Sequence, residues 1–365
     1  MPMLTQRQLN RATLARQLLL ERVDRPIAET VELLGGMQAQ TTHTWYVGLW
    51  CRLDPFSPDT VGRMLTDREL VRIGLQRSTI HLVTADDALR MRPLLDPVLA
   101  KPLSSFARNL DGIDRDAVTE AARGILEAEP LTWAALGRRL EQQWPGRDPA
   151  SLAQIARARL ALVQLPPRGV WGASGQALHT TVERWLGRPL DPRPSVERLF
   201  LRYLAAFGPA SAMDAQAWCG LTRLKAVADE LRDQLVTFTD AAGRELFDLP
   251  GAPRPDPDTP VPVRFLYDYD NLLLSHADRS RFSSDVPLGD AFAGLPPQKS
   301  PGALLVDGVV RGSWLFERER DAAALTVRTA GLSRAASRDV VEEGEALLHF
   351  LAPERADRRV LIVPS

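Results

Sequence analysis

A run of helices closed by a strand-like ribbon occurs three times between Leu4 and Phe247, and that repetition narrows the possible folds more than any single motif. In the first occurrence, Leu9, Ala12, Leu14, Leu18 and Leu19 fall at helical spacing within residues 4–20. A second helix is predicted from Pro26, whose fixed φ suits a first turn, to about Leu34, and it stops at Gly35-Gly36. Further helices are predicted over Thr44–Arg52 and just after Ser57-Pro58-Asp59. Leu70–Leu75 and Ser78–Val83 then alternate apolar and polar residues and are rich in β-branched ones, which marks two strands.

The second occurrence has two helices within 114–144, the later one opened by Leu131-Thr132-Trp133. A long helix over Asp148–Leu162 and a short wing-like segment, Leu165–Trp171, complete it. The third begins near Ser195 with a helix over Leu199–Phe207. Gly208-Pro209-Ala210-Ser211 caps a helix at Met213–Cys219, and Leu221-Thr222-Arg223 leads into another at Leu224–Leu235. Val236–Thr239 and Arg244–Phe247 close it as a hairpin around Asp240–Gly243. Helices followed by a two-stranded ribbon form the winged-helix pattern, which sets one helix against DNA with the ribbon beside it.

A Pro- and Asp-rich linker, Pro250–Pro262, separates these units from a strand-dominated stretch. Strands are predicted at Val263–Leu266, Ala303–Val306, Val309–Phe316, Ala324–Arg328 and Val360–Val363, with one helix at Arg338–Phe350. Asp307-Gly308 lies between two of them as a hairpin turn. The expected fold is α+β: three tandem winged-helix units (1–110, 111–193 and 194–260) followed by a small C-terminal β-barrel (261–365).

Composition limits the chemistry. Cys51 and Cys219 are too few for a disulfide framework or a thiolate metal site, and the five histidines never fall at a metal-ligand spacing. No metal or cofactor is therefore expected. The formal net charge of −1 argues against bulk electrostatic attraction as the basis of nucleic-acid binding. Lysine occurs only at Lys101, Lys225 and Lys299 among 45 basic residues, so arginine supplies nearly all positive charge. A local arginine-lined face can still hold phosphates bidentately. No lysine sits in a motif-like stretch, which disfavours a Schiff-base mechanism and favours water as nucleophile. No apolar run approaches the ~18 residues needed to span a bilayer. The N-terminus carries no signal-peptide core, and a cytoplasmic, nucleoid-associated protein is expected.

The segment Gly35-Gly36-Met37-Gln38-Ala39-Gln40-Thr41 carries the main chemical candidates. Two glutamines two apart diverge on a helix but align on an extended strand, and the glycine pair makes a helix exit there. Two other segments stand out: Arg77-Ser78-Thr79-Ile80-His81-Leu82-Val83, and Tyr269-Asp270-Asn271-Leu272-Leu273-Leu274-Ser275-His276-Ala277-Asp278-Arg279. With Gly36–Gln40 they give nearly the whole chain a resemblance to the AlkZ-like, YcaQ-related winged-helix glycosylases. That resemblance implies tandem winged helices, a C-terminal β-barrel and a catalytic Gln-aliphatic-Gln or Gln-aliphatic-Asp motif. Gln38 and Gln40 occupy the two motif positions, in the Gln/Gln branch, which is associated with producers of DNA-alkylating antibiotics and their self-resistance.

An amide is no general base at neutral pH, so this pair suits a leaving group that needs no proton. N7-alkylated guanine already carries positive charge, and its departure leaves an oxocarbenium-like centre and a water to be positioned. Two side-chain carbonyls can serve both ends. The implied activity is a monofunctional DNA glycosylase acting on double-stranded DNA with alkylated guanine, bulky or crosslinked adducts included. Thr41 follows the pair directly. Arg77 and Thr79 are candidate wing contacts to backbone, and His81 is expected near Gln38. Trp45 offers a ring beside the lesion. His276, Asp278 and Arg279 are candidates for the cleft.

A transcriptional regulator or a protein-interaction module could use the same winged helices. The regulator would not need Gln38 and Gln40, and a basic strip centred on the glutamine pair would exclude the interaction module. Nothing in the sequence resembles a coiled coil or an exposed dimer stripe, so a monomer is expected.

Overall fold

The computed structural model describes residues 1–283, 292 and 299–364. The first unit comprises α1 (Gln6–Arg16), α2 (Ile27–Leu33), β1 (Met37–Gln38), α3 (Trp45–Trp50), α4 (Pro58–Thr66), β2 (Leu70–Gly74), β3 (Ile80–Thr84), α5 (Ala85–Met91) and α6 (Asp96–Ala100). Then come α7 (Arg115–Ala128), α8 (Trp133–Glu141), α9 (Pro149–Arg159), β4 (Leu162–Gln164), β5 (His179–Thr181) and α10 (Val182–Leu186). They are followed by α11 (Val196–Phe207), α12 (Ala212–Cys219), α13 (Leu224–Glu230), β6 (Val236–Thr239) and β7 (Glu245–Asp248). The last part holds β8 (Arg264–Leu266), β9 (Gly302–Val306), β10 (Val309–Arg318), β11 (Ala322–Thr329), α14 (Arg334–Leu351) and β12 (Asp357–Val363).

Local chemistry sets many of these limits. Thr5 and Gln8 satisfy each other's backbone as a capping box at the start of α1, and Ser211 and Asp214 do the same for α12. The first helix stops at Arg16 rather than Leu20 because Leu18 takes a left-handed backbone, φ 54°. Leu165–Trp171 does not form the expected wing strand. Pro166 and Pro167 have no N–H to give a ladder, and Gly169 turns the chain at φ 94°. The ribbon of the second unit is instead β4 with β5.

The ribbons of the first two units join one sheet of order β1-β3-β2-β4-β5, with every pairing antiparallel. One core cluster links this sheet to α11 and α12 through Val71, Ile73, Phe200, Phe207 and Trp218. A second cluster binds the first unit to the C-terminal sheet, packing Met37, Ala39 and Trp45 with Phe265, Tyr267 and Trp314. The glutamine segment therefore lies on the seam between the first unit and the C-terminal part.

That C-terminal part is not the expected barrel. Its five strands run in the linear order β12-β11-β10-β9-β8, and no closing pair joins β8 to β12 among the described residues. The reason is α14, which carries the chain back over the sheet. It buries Val340, Leu347, Leu348 and Leu351 in the same core as Leu325 and Val327, and it lays β12 parallel to β11. A helix covers the face that a barrel would have turned inward. Asp307-Gly308 forms the turn from β9 to β10 with two left-handed residues, φ 49° and 76°. Among the described residues no helix is long and apolar enough to cross a membrane, and no cluster of three His, Cys, Asp or Glu could hold a metal.

Candidate active site

The glutamine segment begins where α2 ends. Gly35 N–H donates to Glu32 O and Gly36 N–H to Val31 O, both at 3.0 Å, the crossed bonds of a helix closed by a left-handed glycine. Gly36 has φ 84°, and a Cβ there would meet Val83 Cγ1 at 2.7 Å. The chain leaves as β1, pairing Met37 with Leu82 and Gln38 with His81, and Ala39 N–H donates to Ile80 O at 2.7 Å. Side chains alternate along extended backbone, so Gln38 and Gln40 leave the segment in the same sense. Gln38 is 4% exposed and Gln40 is open to solvent. The pair runs from the floor of the site to its rim.

Both amides are oriented by groups that can only donate. Arg77 Nη2 donates to Gln38 Oε1 at 2.7 Å, and Ile80 N–H donates to Gln40 Oε1 at 3.2 Å. A guanidinium or a backbone N–H offers no lone pair, so each amide must turn its oxygen towards the scaffold. Each oxygen keeps one further lone pair. Arg77 is itself held by Trp218 O at 2.6 Å, and Arg77 and Ser78 both adopt left-handed backbone, φ 54° and 60°. Burial brings the Arg77 pKa down to about 10, and the nearby positive charge of Arg279 pushes the same way. Buried Arg72 donates from Nη2 to Ala39 O at 2.9 Å, while its Nε and Nη1 have no hydrogen-bond partner among the described residues.

The loop after β8 clamps the same segment from the C-terminal part. Asn271 Nδ2 donates to Gly36 O at 2.5 Å. Asp270 accepts two bonds from Arg52, at 2.8 and 2.9 Å, with both side chains almost fully buried. Asp268 accepts from Thr41 Oγ1 at 2.5 Å and from Thr44 Oγ1 at 2.6 Å. Burial raises the Asp268 pKa even though these hydroxyls favour the carboxylate. The start, middle and end of the segment are each tied down.

Among the candidates, Gln38, Gln40, Arg77 and His81 come together around the β1–β3 pair. His81 is fully buried, its Nδ1 lies 3.1 Å from Thr79 O, and burial followed by the Arg77 charge lowers its pKa to about 3. Thr79 bonds Gln76 O at 3.0 Å and supports the turn. Trp45 has no exposed surface. Its ring stacks on Tyr46 at 4.0 Å and its Nε1 donates to Thr42 O, leaving no face for a base in this structure. His276 also lies in the core, between Phe207 and Phe282, with Nε2 3.1 Å from Phe207 O. Burial keeps it neutral. Asp278 bonds Arg244 at 2.6 Å and Ser280 N–H at 2.9 Å, and that backbone N–H leads the causes that lower its pKa to about 2. Arg279 is exposed. Arg52, Arg72 and Asp268 escape sequence reasoning as parts of the site. Only Asp270-Asn271, within a motif already singled out, carried a sequence signal.

The fold matches a solved structure, and the sequence matches a family model. The structure superimposes on the Streptomyces sahachiroi DNA glycosylase AlkZ with a TM-score of 0.71 and 19% sequence identity, covering 98% of this chain and 100% of that one. No curated protein matches this chain in sequence. Over residues 31–350 the sequence matches the family model described as DNA glycosylase AlkZ-like, and the chain belongs to that family of DNA-repair enzymes and is a DNA glycosylase.

Proposed function

We propose that this enzyme hydrolyses the N-glycosidic bond of N7-alkylated guanine in double-stranded DNA, including bulky and crosslinked adducts of a DNA-alkylating natural product, in repair or self-resistance. The observation that carries the reading is the pair of anchored amides. Gln38 and Gln40 each commit one oxygen lone pair to a fixed donor and keep one free, and neither can protonate a leaving group. A substrate whose base already carries positive charge needs no acid. Its C1′–N9 electron pair neutralises that charge as the bond breaks, and the sugar is left as an oxocarbenium-like centre. The free lone pairs of Gln38 and Gln40 accept the protons of a water whose oxygen attacks C1′. The released proton passes to solvent.

In this reading residues 1–110, 111–193 and 194–260 act as three winged-helix units on DNA, with 261–365 as the part that clamps the catalytic segment. The enzyme works as a monomer at the nucleoid. Arg77 and His81 position Gln38 and the strand beneath it, Thr41 ties the segment's far end, and exposed Arg279 meets phosphate. Duplex DNA carrying N7-methylguanine, incubated with enzyme and then cleaved by alkali, tests the proposal. Strand breaks should form with the wild type and fall at least about a hundredfold with Gln38→Ala and with Gln40→Ala. Borohydride should trap no covalent complex. Breaks unchanged in both variants would remove the amides from the mechanism.

A further inference from the structure

Gln40 is oriented by a donor that a regular ladder uses elsewhere. Continuing the β1–β3 register past Gln38 and His81 sets Ala39 opposite Ile80, and Ala39 N–H donates to Ile80 O at 2.7 Å. Residues paired in this way on antiparallel strands ordinarily exchange both bonds, so Ile80 N–H would be expected to donate to Ala39 O. Here it donates to Gln40 Oε1 instead, at 3.2 Å. Ala39 is fully buried, and a buried carbonyl needs another donor. Arg72 supplies it. From β2 its side chain reaches across β3 and places Nη2 2.9 Å from Ala39 O.

The arrangement is unfavourable as a plain structural device. Arg72 is 1% exposed, and among the described residues its Nε and Nη1 have no partner. Burial, and after it the charge of Arg168, brings its pKa down to about 10. The loop after β4 is shaped around the guanidinium. Gly169 has φ 94°, a Cβ there would meet Arg72 Cδ at 2.8 Å, and Gly169 O accepts from Tyr46 Oη at 2.9 Å. A buried cation without a counter-charge weakens a fold, and a donor for Ala39 O already stood opposite it at Ile80. What Arg72 adds is the release of that N–H to Gln40.

Resting on the reading of Gln38 and Gln40 as the amides that excise N7-alkylated guanine, we propose that Arg72 is a positioning residue that acts through Gln40. By taking Ala39 O it leaves Ile80 N–H to hold the Gln40 oxygen. Arg72→Met removes donor and charge and keeps most of the side chain's length. Ala39 O then recovers Ile80 N–H, and the Gln40 amide is free to rotate. Single-turnover excision of N7-methylguanine from duplex DNA and urea unfolding are measured on wild type, Arg72→Met, Gln40→Ala and the double variant. Arg72→Met should lose about tenfold or more in excision rate, with a urea midpoint equal to that of the wild type or higher. In the Gln40→Ala background the same change should alter the rate by less than about twofold, because its effect passes through the missing amide. A further loss of about tenfold in that background, a lowered midpoint, or unchanged excision by Arg72→Met overturns the proposal and leaves the substrate reading standing. Absence of excision by the wild type overturns the substrate reading, and excision unaffected by Gln40→Ala removes that amide from the mechanism. The role of Arg72 falls with either.

Discussion

Replacing Arg77 by methionine keeps most of the side chain's length and removes the donor that turns the Gln38 oxygen inward. Without it the amide can rotate, and mispositioning of this kind costs about a hundredfold in rate. The expected outcome for Arg77→Met is a fall in kcat of about ten- to a hundredfold, with KM for damaged duplex changed by less than about threefold. An Arg77 that instead served as a phosphate contact would raise KM and lower the salt dependence of binding by about one ion. Steady-state kinetics at two salt concentrations separates the two roles. Asp270 and Arg52 make the opposite case, a buried pair with no place in the chemistry. Asp270→Ala leaves a guanidinium buried without its partner and should cost about 3–5 kcal/mol in urea unfolding, most of it recovered in the double variant Asp270→Ala with Arg52→Met. A loss below about 1 kcal/mol would mean that the pair does not hold the C-terminal loop to the first unit.

The exit from α2 and the interior of α7 use glycine for different ends, and one substitution distinguishes them. Gly36 sits at φ 84° with no room for a Cβ beside Val83. Gly36→Ala should therefore lower unfolding free energy by about 1–3 kcal/mol and reduce excision further than the stability change explains. Gly124 lies exposed within α7 with nothing within 4 Å of an added Cβ. There alanine should raise stability by about 0.5–1 kcal/mol and leave excision unchanged. Paired denaturation curves check both signs. At this scale the elements themselves were legible. The Gly35-Gly36 stop, the β2–β3 ribbon, the Ser211 cap and the Asp307-Gly308 turn all rest on interactions within a few residues. Leu165–Trp171 does not form its strand because its two prolines deny the ladder its donors, and the first helix ends early where Leu18 turns left-handed.

Across the whole molecule, three histidines are buried as neutral rings: His81, His179 and His276. Burial is the first cause in each, taking His81 to about 3 and His179 to about 4. The unfolded imidazoles bind protons below about pH 6.5 while the folded ones do not, so unfolding free energy falls as pH drops from 6.5 towards 4. The loss between pH 7 and pH 5 should be about 2 kcal/mol per buried histidine. Urea unfolding at the two pH values tests this, and a midpoint unchanged or higher at pH 5 would contradict it. His179→Gln should flatten the dependence by one histidine's share.

The sequence by itself determined most of the order of the elements and the extended glutamine pair after a glycine-closed helix. These depend on backbone preference and on side chains close in sequence, and local interactions decide both. Tertiary structure alone decided what surrounds the pair. Residues 39 positions apart bring Arg77 to Gln38, and residues more than 200 apart bring Asp268 to Thr41 and Asn271 to Gly36. It also moved Trp45 and His276 into the core, and it opened the expected barrel into a sheet covered by α14. An aromatic ring or an imidazole looks the same in sequence whether it faces a cleft or a core, because burial depends on what packs against it from distant parts of the chain.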